Sequence, residues 1–158
     1  MSGTTTATRS GRHGRRAFVV GLCAQAAAWA LSRRAAAEAP PFRLIVHPDN
    51  PQASAARDFV ADAFLRKTTD WPDGQGIRPV DLPASSGTRI RFSESILKRS
   101  VAAVKHYWQQ IIFSGRGVPP PELESDAAVI GYVLQNRGSI GYVSGTGDLG
   151  KAKVLSIR

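Results

Sequence analysis

Ile77-Arg78-Pro79-Val80-Asp81-Leu82-Pro83-Ala84-Ser85-Ser86-Gly87-Thr88-Arg89-Ile90-Arg91-Phe92 holds a strand, a stop and a helix start in one stretch. Residues 77 to 82 are rich in apolar and extended-favouring types, and Pro83 ends the run because it has no N–H to offer a sheet. Ser85-Ser86-Gly87-Thr88 then opens a helical stretch whose apolar residues are Ile90, Phe92, Ile96 and Leu97. A strand running into a helix is the building unit of α/β domains.

The same alternation extends in both directions. Phe42 to Val46 is a short apolar run closed by His47-Pro48-Asp49-Asn50-Pro51, a strand entering a turn. Ala56, Phe59, Val60, Ala63 and Phe64 recur at helical spacing, which predicts an amphipathic helix over 54 to 66 with Ser54 near its cap. Trp71-Pro72-Asp73-Gly74 is a turn. Beyond the central stretch, Val101, Val104, Trp108 and Ile111 share one helix face, and residues 114 to 121, Ser-Gly-Arg-Gly-Val-Pro-Pro-Pro, form a loop. Ser125 caps a last helix through Ala128, Val129, Tyr132 and Val133, ended near Gly138. Ile140 to Val143 and Lys153 to Ile157 are the closing strands. Strands alternating with helices predict an α/β fold: a mainly parallel sheet with helices on both faces. Its expected core is Phe59, Val60, Phe64, Val80, Phe92, Trp108, Ile111, Val133, Ile140 and Val143.

The N-terminus reads differently. Residues 1 to 16 carry Arg9, Arg12, Arg15 and Arg16 and no acid, an apolar run follows from Ala17 to Leu31, and Ala35-Ala36-Ala37 is the small-residue pattern that a signal peptidase cuts. The run is shorter than the roughly 20 apolar residues a spanning helix needs. Residues 1–37 are therefore expected to be an export signal and residues 38–158 the mature domain, located in the periplasm. Gly14-Arg15-Arg16-Ala17-Phe18 resembles a twin-arginine signal; an ordinary secretion signal in an Arg-rich chain is the plainer alternative. Removing the signal takes six of the 21 Lys and Arg and none of the 12 Asp and Glu, so the net charge falls from +9 to +3. The basic balance that would point to nucleic acid thus belongs mostly to the signal. Cys23, the one cysteine, lies inside the apolar run, which leaves no thiol, disulfide or cysteine metal site after residue 37.

Taken together, Ile45-Val46-His47-Pro48-Asp49-Asn50-Pro51, Ala63-Phe64-Leu65-Arg66-Lys67, Trp71-Pro72-Asp73-Gly74, Ile77-Arg78-Pro79-Val80, Ser86-Gly87-Thr88, Phe92 and Ile140-Gly141-Tyr142-Val143 follow a familiar order. It resembles the phosphate-binding (solute-binding) proteins of ABC importers, a periplasmic binding protein type 2-like family. The likeness covers residues 43 to about 150 and one of that family's two lobes, the second. It implies a single periplasmic-binding-protein-like lobe, a phosphate or similar oxyanion as ligand, and an ABC permease as partner. It also implies ligand contacts by Ser86, Gly87 and Thr88, and with the flanking Ser85 and Arg89 these are the expected ligand-binding residues. The physics agrees: a helix N-terminus offers unpaired N–H groups and about half a positive charge, and glycine lets an oxyanion approach. The alternative is that Ser85 or Ser86 simply caps the helix.

Two positions depart from the family pattern. Its members place an arginine four residues before that serine, where it grips the anion in a forked contact, and here the position is Leu82. Arg78, Arg89 and Arg91 are the available substitutes, although Arg89 and Arg91 fall inside the helix, on an expected solvated face. The family also has glycine where Arg66 stands. The missing lobe normally supplies the opposite wall, including a carboxylate, so a second copy forming a homodimer or another protein would have to close the site.

An interaction module that keeps the fold without the ligand, a periplasmic adaptor or sensor partner, is the competing reading. An enzyme is not expected, nor is a cofactor or a metal. His47 and His106 sit in no metal-ligand spacing, and there is no Gly-x-Ser-x-Gly elbow. Arg89, Arg91, Lys98, Arg99 and Lys105 spread around their helices, the pattern of a solvated surface and not of a nucleic-acid stripe.

Overall fold

Ser139-Ile140-Gly141-Tyr142-Val143 is buried at every position, so this strand lies at the centre of the domain. The computed structural model describes residues 40–158. The expected export signal, its twin-arginine pair and Cys23 lie outside the described residues.

In chain order the elements are β1 (Phe42–Val46), β2 (Ser54–Ala55), α1 (Arg57–Phe64), β3 (Arg78–Pro79), α2 (Gly87–Phe92) running on into a π-helical turn (Ser93–Leu97), α3 (Val101–Phe113), α4 (Asp126–Gln135), β4 (Ser139–Ser144), β5 (Lys153–Val154) and β6 (Ser156–Ile157). The main sheet has the order β3-β4-β1-β5. β3 and β4 are parallel, joined by the crossover through α2 to α4, as a βαβ connection requires. β1 is antiparallel to both β4 and β5, with Leu44 opposite Tyr142 and Ile45 opposite Gly141. The mainly parallel sheet expected from the sequence is therefore corrected to a mixed one. Alternation of strands and helices constrains the direction of strands that follow one another in the sheet. Here the first strand pairs with strands from the end of the chain, and alternation says nothing about their sense.

Successive residues of β4 point to opposite faces. At Gly141 the position of a Cβ lies against Val129 and Val133 of α4, whereas the Tyr142 ring packs on Phe92 of α2 and Phe64 of α1. Helices thus cover both faces. The Tyr142 and Phe92 rings are stacked, with centroids 3.9 Å apart and planes 8° from parallel, and Phe64 tilts onto Phe92 at 4.7 Å. Of the expected core, Phe59 and Ile111 are only partly buried and pack against the rim; the other eight residues are buried, and Tyr142 and Trp71 join them.

Three boundaries differ from expectation. Ser54 does not cap a helix: with Ala55 it forms a strand parallel to Ser156 and Ile157, and α1 begins at Arg57 without a side-chain cap. The expected strand 77 to 82 keeps regular pairing only at Arg78 and Pro79, after which Asp81 turns to bridge Glu122. The closing strand 153 to 157 divides between two sheets on either side of buried Leu155. Each depends on a partner distant in sequence.

A Cβ at Gly141 would stand 2.7 Å from Val129 Cγ1 and 2.9 Å from Val80 Cγ2. Gly141→Ala is expected to cost about 1–3 kcal/mol by overpacking the strand against α4, read as a lower urea midpoint with an unchanged slope.

Candidate functional site

Past β3 the chain is pinned between backbone partners: the Asp81 N–H donates to the Pro121 carbonyl at 2.9 Å, and the Leu123 N–H donates to the Asp81 carbonyl at 2.8 Å. Leu82 is buried, and the Ser86 N–H closes a turn onto the Pro83 carbonyl at 2.8 Å. Ser86 is the N-cap of α2: its extended backbone turns into the helix and its Oγ accepts the Arg89 N–H at 3.4 Å. The serine thus caps the helix, while the N–H groups of Gly87 and Thr88 have no acceptor among the described residues. Ser85 and Gly87 are exposed, Ser86 and Thr88 half-buried, and nothing lies within 4 Å of where a Gly87 Cβ would be. The turn is open to a ligand from outside.

Arg89 overturns the expectation of a solvated face. It is only 5% exposed, because Arg89, Phe92, Ser93 and Ile96 follow one another at helical spacing on the inward side. Its Nη1 donates to the Leu82 carbonyl at 3.1 Å and pairs with Oδ1 of Asp81, itself only 4% exposed. The same Oδ1 accepts the Leu82 N–H at 3.0 Å and the Tyr142 hydroxyl. Burial pushes the Asp81 carboxyl above its ordinary value of 3.8, and the pull of Arg89 and the hydrogen bonds only partly offsets this. Burial, together with the adjacent carboxylate, also raises Tyr142 far above its usual range, which keeps the hydroxyl a donor.

Arg89 belongs to the turn through its backbone, but its charge lies behind the turn and is matched by Asp81. Of the other substitutes, Arg91 is exposed and Arg78 reaches Asn136 Oδ1 at 3.4 Å. Arg66, where the resemblance leads to an expectation of glycine, adopts a positive φ of 55°, the conformation that favours glycine. Asp81 and Tyr142 were not anticipated as site residues. Their one sequence signal is an acid between Val80 and Leu82 in an apolar run. Among the described residues no group of His, Cys, Asp and Glu is placed to hold a metal ion, and no helix is long and apolar enough to cross a membrane.

The sequence matches no protein-family model and has no significant match among curated proteins. Solved structures do share its fold. A candidate phosphate ABC transporter substrate-binding protein from Clostridium perfringens, with bound phosphate, aligns at a TM-score of 0.56 and 21% identity, over 74% of this chain and 44% of that one. An ABC-type phosphate transport receptor from Vibrio cholerae aligns at 0.56 and 21%, over 74% and 46%. PstS from Borrelia burgdorferi aligns at 0.57 and 14%, over 75% and 47%. The fold is that of part of a phosphate-type substrate-binding protein. This chain spans less than half the length of each of these neighbours, as a single lobe would.

Removing one member of the buried pair leaves the other uncompensated. Arg89→Leu is expected to cost on the order of 3–5 kcal/mol in a urea titration, and Asp81→Asn in the same chain should restore most of it. The pH dependence has a definite sign. The folded state holds the Asp81 proton to higher pH than the unfolded chain, so this group's contribution falls as pH rises from 3.8 through the raised value and is restored on acidification. Wild type and Asp81→Asn, unfolded in urea at a series of pH values, should diverge across that window.

Proposed function

We propose that residues 38–158 form the ligand-carrying lobe of an exported solute-binding protein, and that this lobe takes phosphate or a similar oxyanion at the Ser86-Gly87-Thr88 turn for ABC-type uptake. The carrying observation is the pair of free N–H groups on Gly87 and Thr88 at the exposed start of a helical stretch that continues to Leu97. Oriented N–H donors and the helix dipole attract an anion, and the Thr88 hydroxyl adds a third donor. Fold likeness to phosphate receptors supports the choice of ligand, and the Arg-rich start and apolar run support export.

The strength of binding follows from what the turn lacks. Three charge-assisted hydrogen bonds contribute about 1.5–3 kcal/mol each. Association costs at least about 4 kcal/mol. With Leu82 at the family's arginine position and Arg89 already neutralised, the lobe alone has roughly millimolar affinity, about 4 kcal/mol net. Micromolar capture calls for a second wall, from another lobe, a second copy or a permease.

The adaptor reading has an observation of its own: Phe113 is 89% exposed, with exposed Ile112 and Val118 nearby in sequence, and such side chains suit a protein partner. The two readings differ in one measurement. Phosphate added to the full chain at constant ionic strength should give saturable amide shifts at Gly87 and Thr88, and Gly87→Val should weaken them several-fold by covering the N–H groups. Flat or surface-wide shifts would leave the adaptor as the function.

A further inference from the structure

A cavity of about 350 Å³ lies between α2, α3 and the loop of Pro119 and Pro120. Val101, Trp108, Ile112 and the two prolines give it apolar walls, and Asp81 and Arg89 both line it. These are the two most enclosed charges of the site, and their pairing is lopsided. The Leu82 N–H, the Tyr142 hydroxyl and Arg89 Nη1 all converge on Asp81 Oδ1. Among the described residues nothing donates to Oδ2. Arg89 likewise spends only Nη1, on Leu82 and Asp81, and its Nε is enclosed without an acceptor. A native structure leaves few enclosed groups such as Arg89 Nε unmet, because each costs about 1–3 kcal/mol when buried.

The free parts of the two side chains are complementary. Arg89 Nη2, which has no acceptor among the described residues, is a donor that fits a carboxylate, and Oδ2 is an acceptor that fits an ammonium. Lys105 and Glu122, both exposed, also line the cavity. The charges around it therefore balance, two positive and two negative, so a bare anion gains little from the site as a whole. A small molecule carrying both signs gains from each. The cavity lies at the small end of the roughly 300–1,000 Å³ range of ligand pockets, and its walls suit an apolar side chain.

We infer that this cavity binds a free α-amino acid with an aliphatic side chain. Its carboxylate meets Arg89 and Lys105, its ammonium meets Asp81 and Glu122, and its side chain lies between Trp108, Ile112 and the two prolines. The site is separate in chemistry from the oxyanion turn: it needs both charges of its ligand, whereas the turn needs one.

The test is a titration of the full chain with L-leucine, followed through the Trp108 indole N–H in an NMR spectrum, with leucinamide and 4-methylpentanoate as probes that each lack one charge. Saturable movement of the Trp108 signal with leucine is expected, at least tenfold weaker with either probe. The surface variants Lys105→Ala and Glu122→Gln leave the buried pair intact and should each weaken leucine several-fold. No saturation by tens of millimolar leucine would overturn the assignment, as would equal affinity for leucine and 4-methylpentanoate, or leucine affinity unchanged in both variants. Phosphate read at Gly87 and Thr88 in the same samples reports separately on the oxyanion turn.

Discussion

Tyr142 ties the domain together because it satisfies two demands from one position on the central strand. Its ring stacks on Phe92 and meets Phe64, which docks α1 and α2 on one face of the sheet. Its hydroxyl donates to Asp81, the point at which the chain leaves β3 for the turn. Arg89 reaches the same carboxylate from the first turn of α2. A strand, the segment after a second strand and a helix start are thereby held by a single oxygen atom. A buried pair of this kind adds little net stability, since desolvation offsets most of the attraction. What it adds is geometry: the direction in which α2 leaves the sheet, and so the orientation of the N–H groups at Gly87 and Thr88.

That arrangement explains how the chain accommodates leucine at position 82, where the resemblance leads to an expectation of arginine. Leu82 is buried, and its carbonyl is taken by a guanidinium arriving from seven residues further along the chain. The positive charge near the turn is thus retained in amount but moved behind it and matched by a carboxylate. The Gly87 and Thr88 N–H groups are thus oriented dipoles whose neighbouring guanidinium lies behind them on Asp81. The same relocation places an incompletely paired acid and base at the floor of an apolar cavity.

Much of the architecture could be read from local patterns. The helices at 101 to 113 and 126 to 135 follow apolar residues at helical spacing, each started by a serine that accepts the N–H three residues on. Ser86 does the same for α2, so the plainer reading of that serine, as a cap, is what its hydroxyl does, and the neighbouring N–H groups have no acceptor among the described residues. The buried role of Arg89 could not be read this way. Helical spacing does place it in line with Phe92 and Ile96, but a charge on an inward face is buried only if a partner waits there. That partner, Asp81, is supplied by a different element.

The sequence by itself determined where helices begin, which residues are apolar on one face, and that a capped helix start follows a strand ending at Pro83. These are properties of neighbours within a few residues, set by hydrophobic spacing and local hydrogen bonding. Only the tertiary structure decided that β1 runs antiparallel to β4, that Ser54 joins a strand to Ser156, and that Arg89 turns inward onto Asp81 under the Tyr142 hydroxyl. Each of these pairs residues far apart in the chain. Their energy comes from burial and charge matching, which exist only once the core has excluded water.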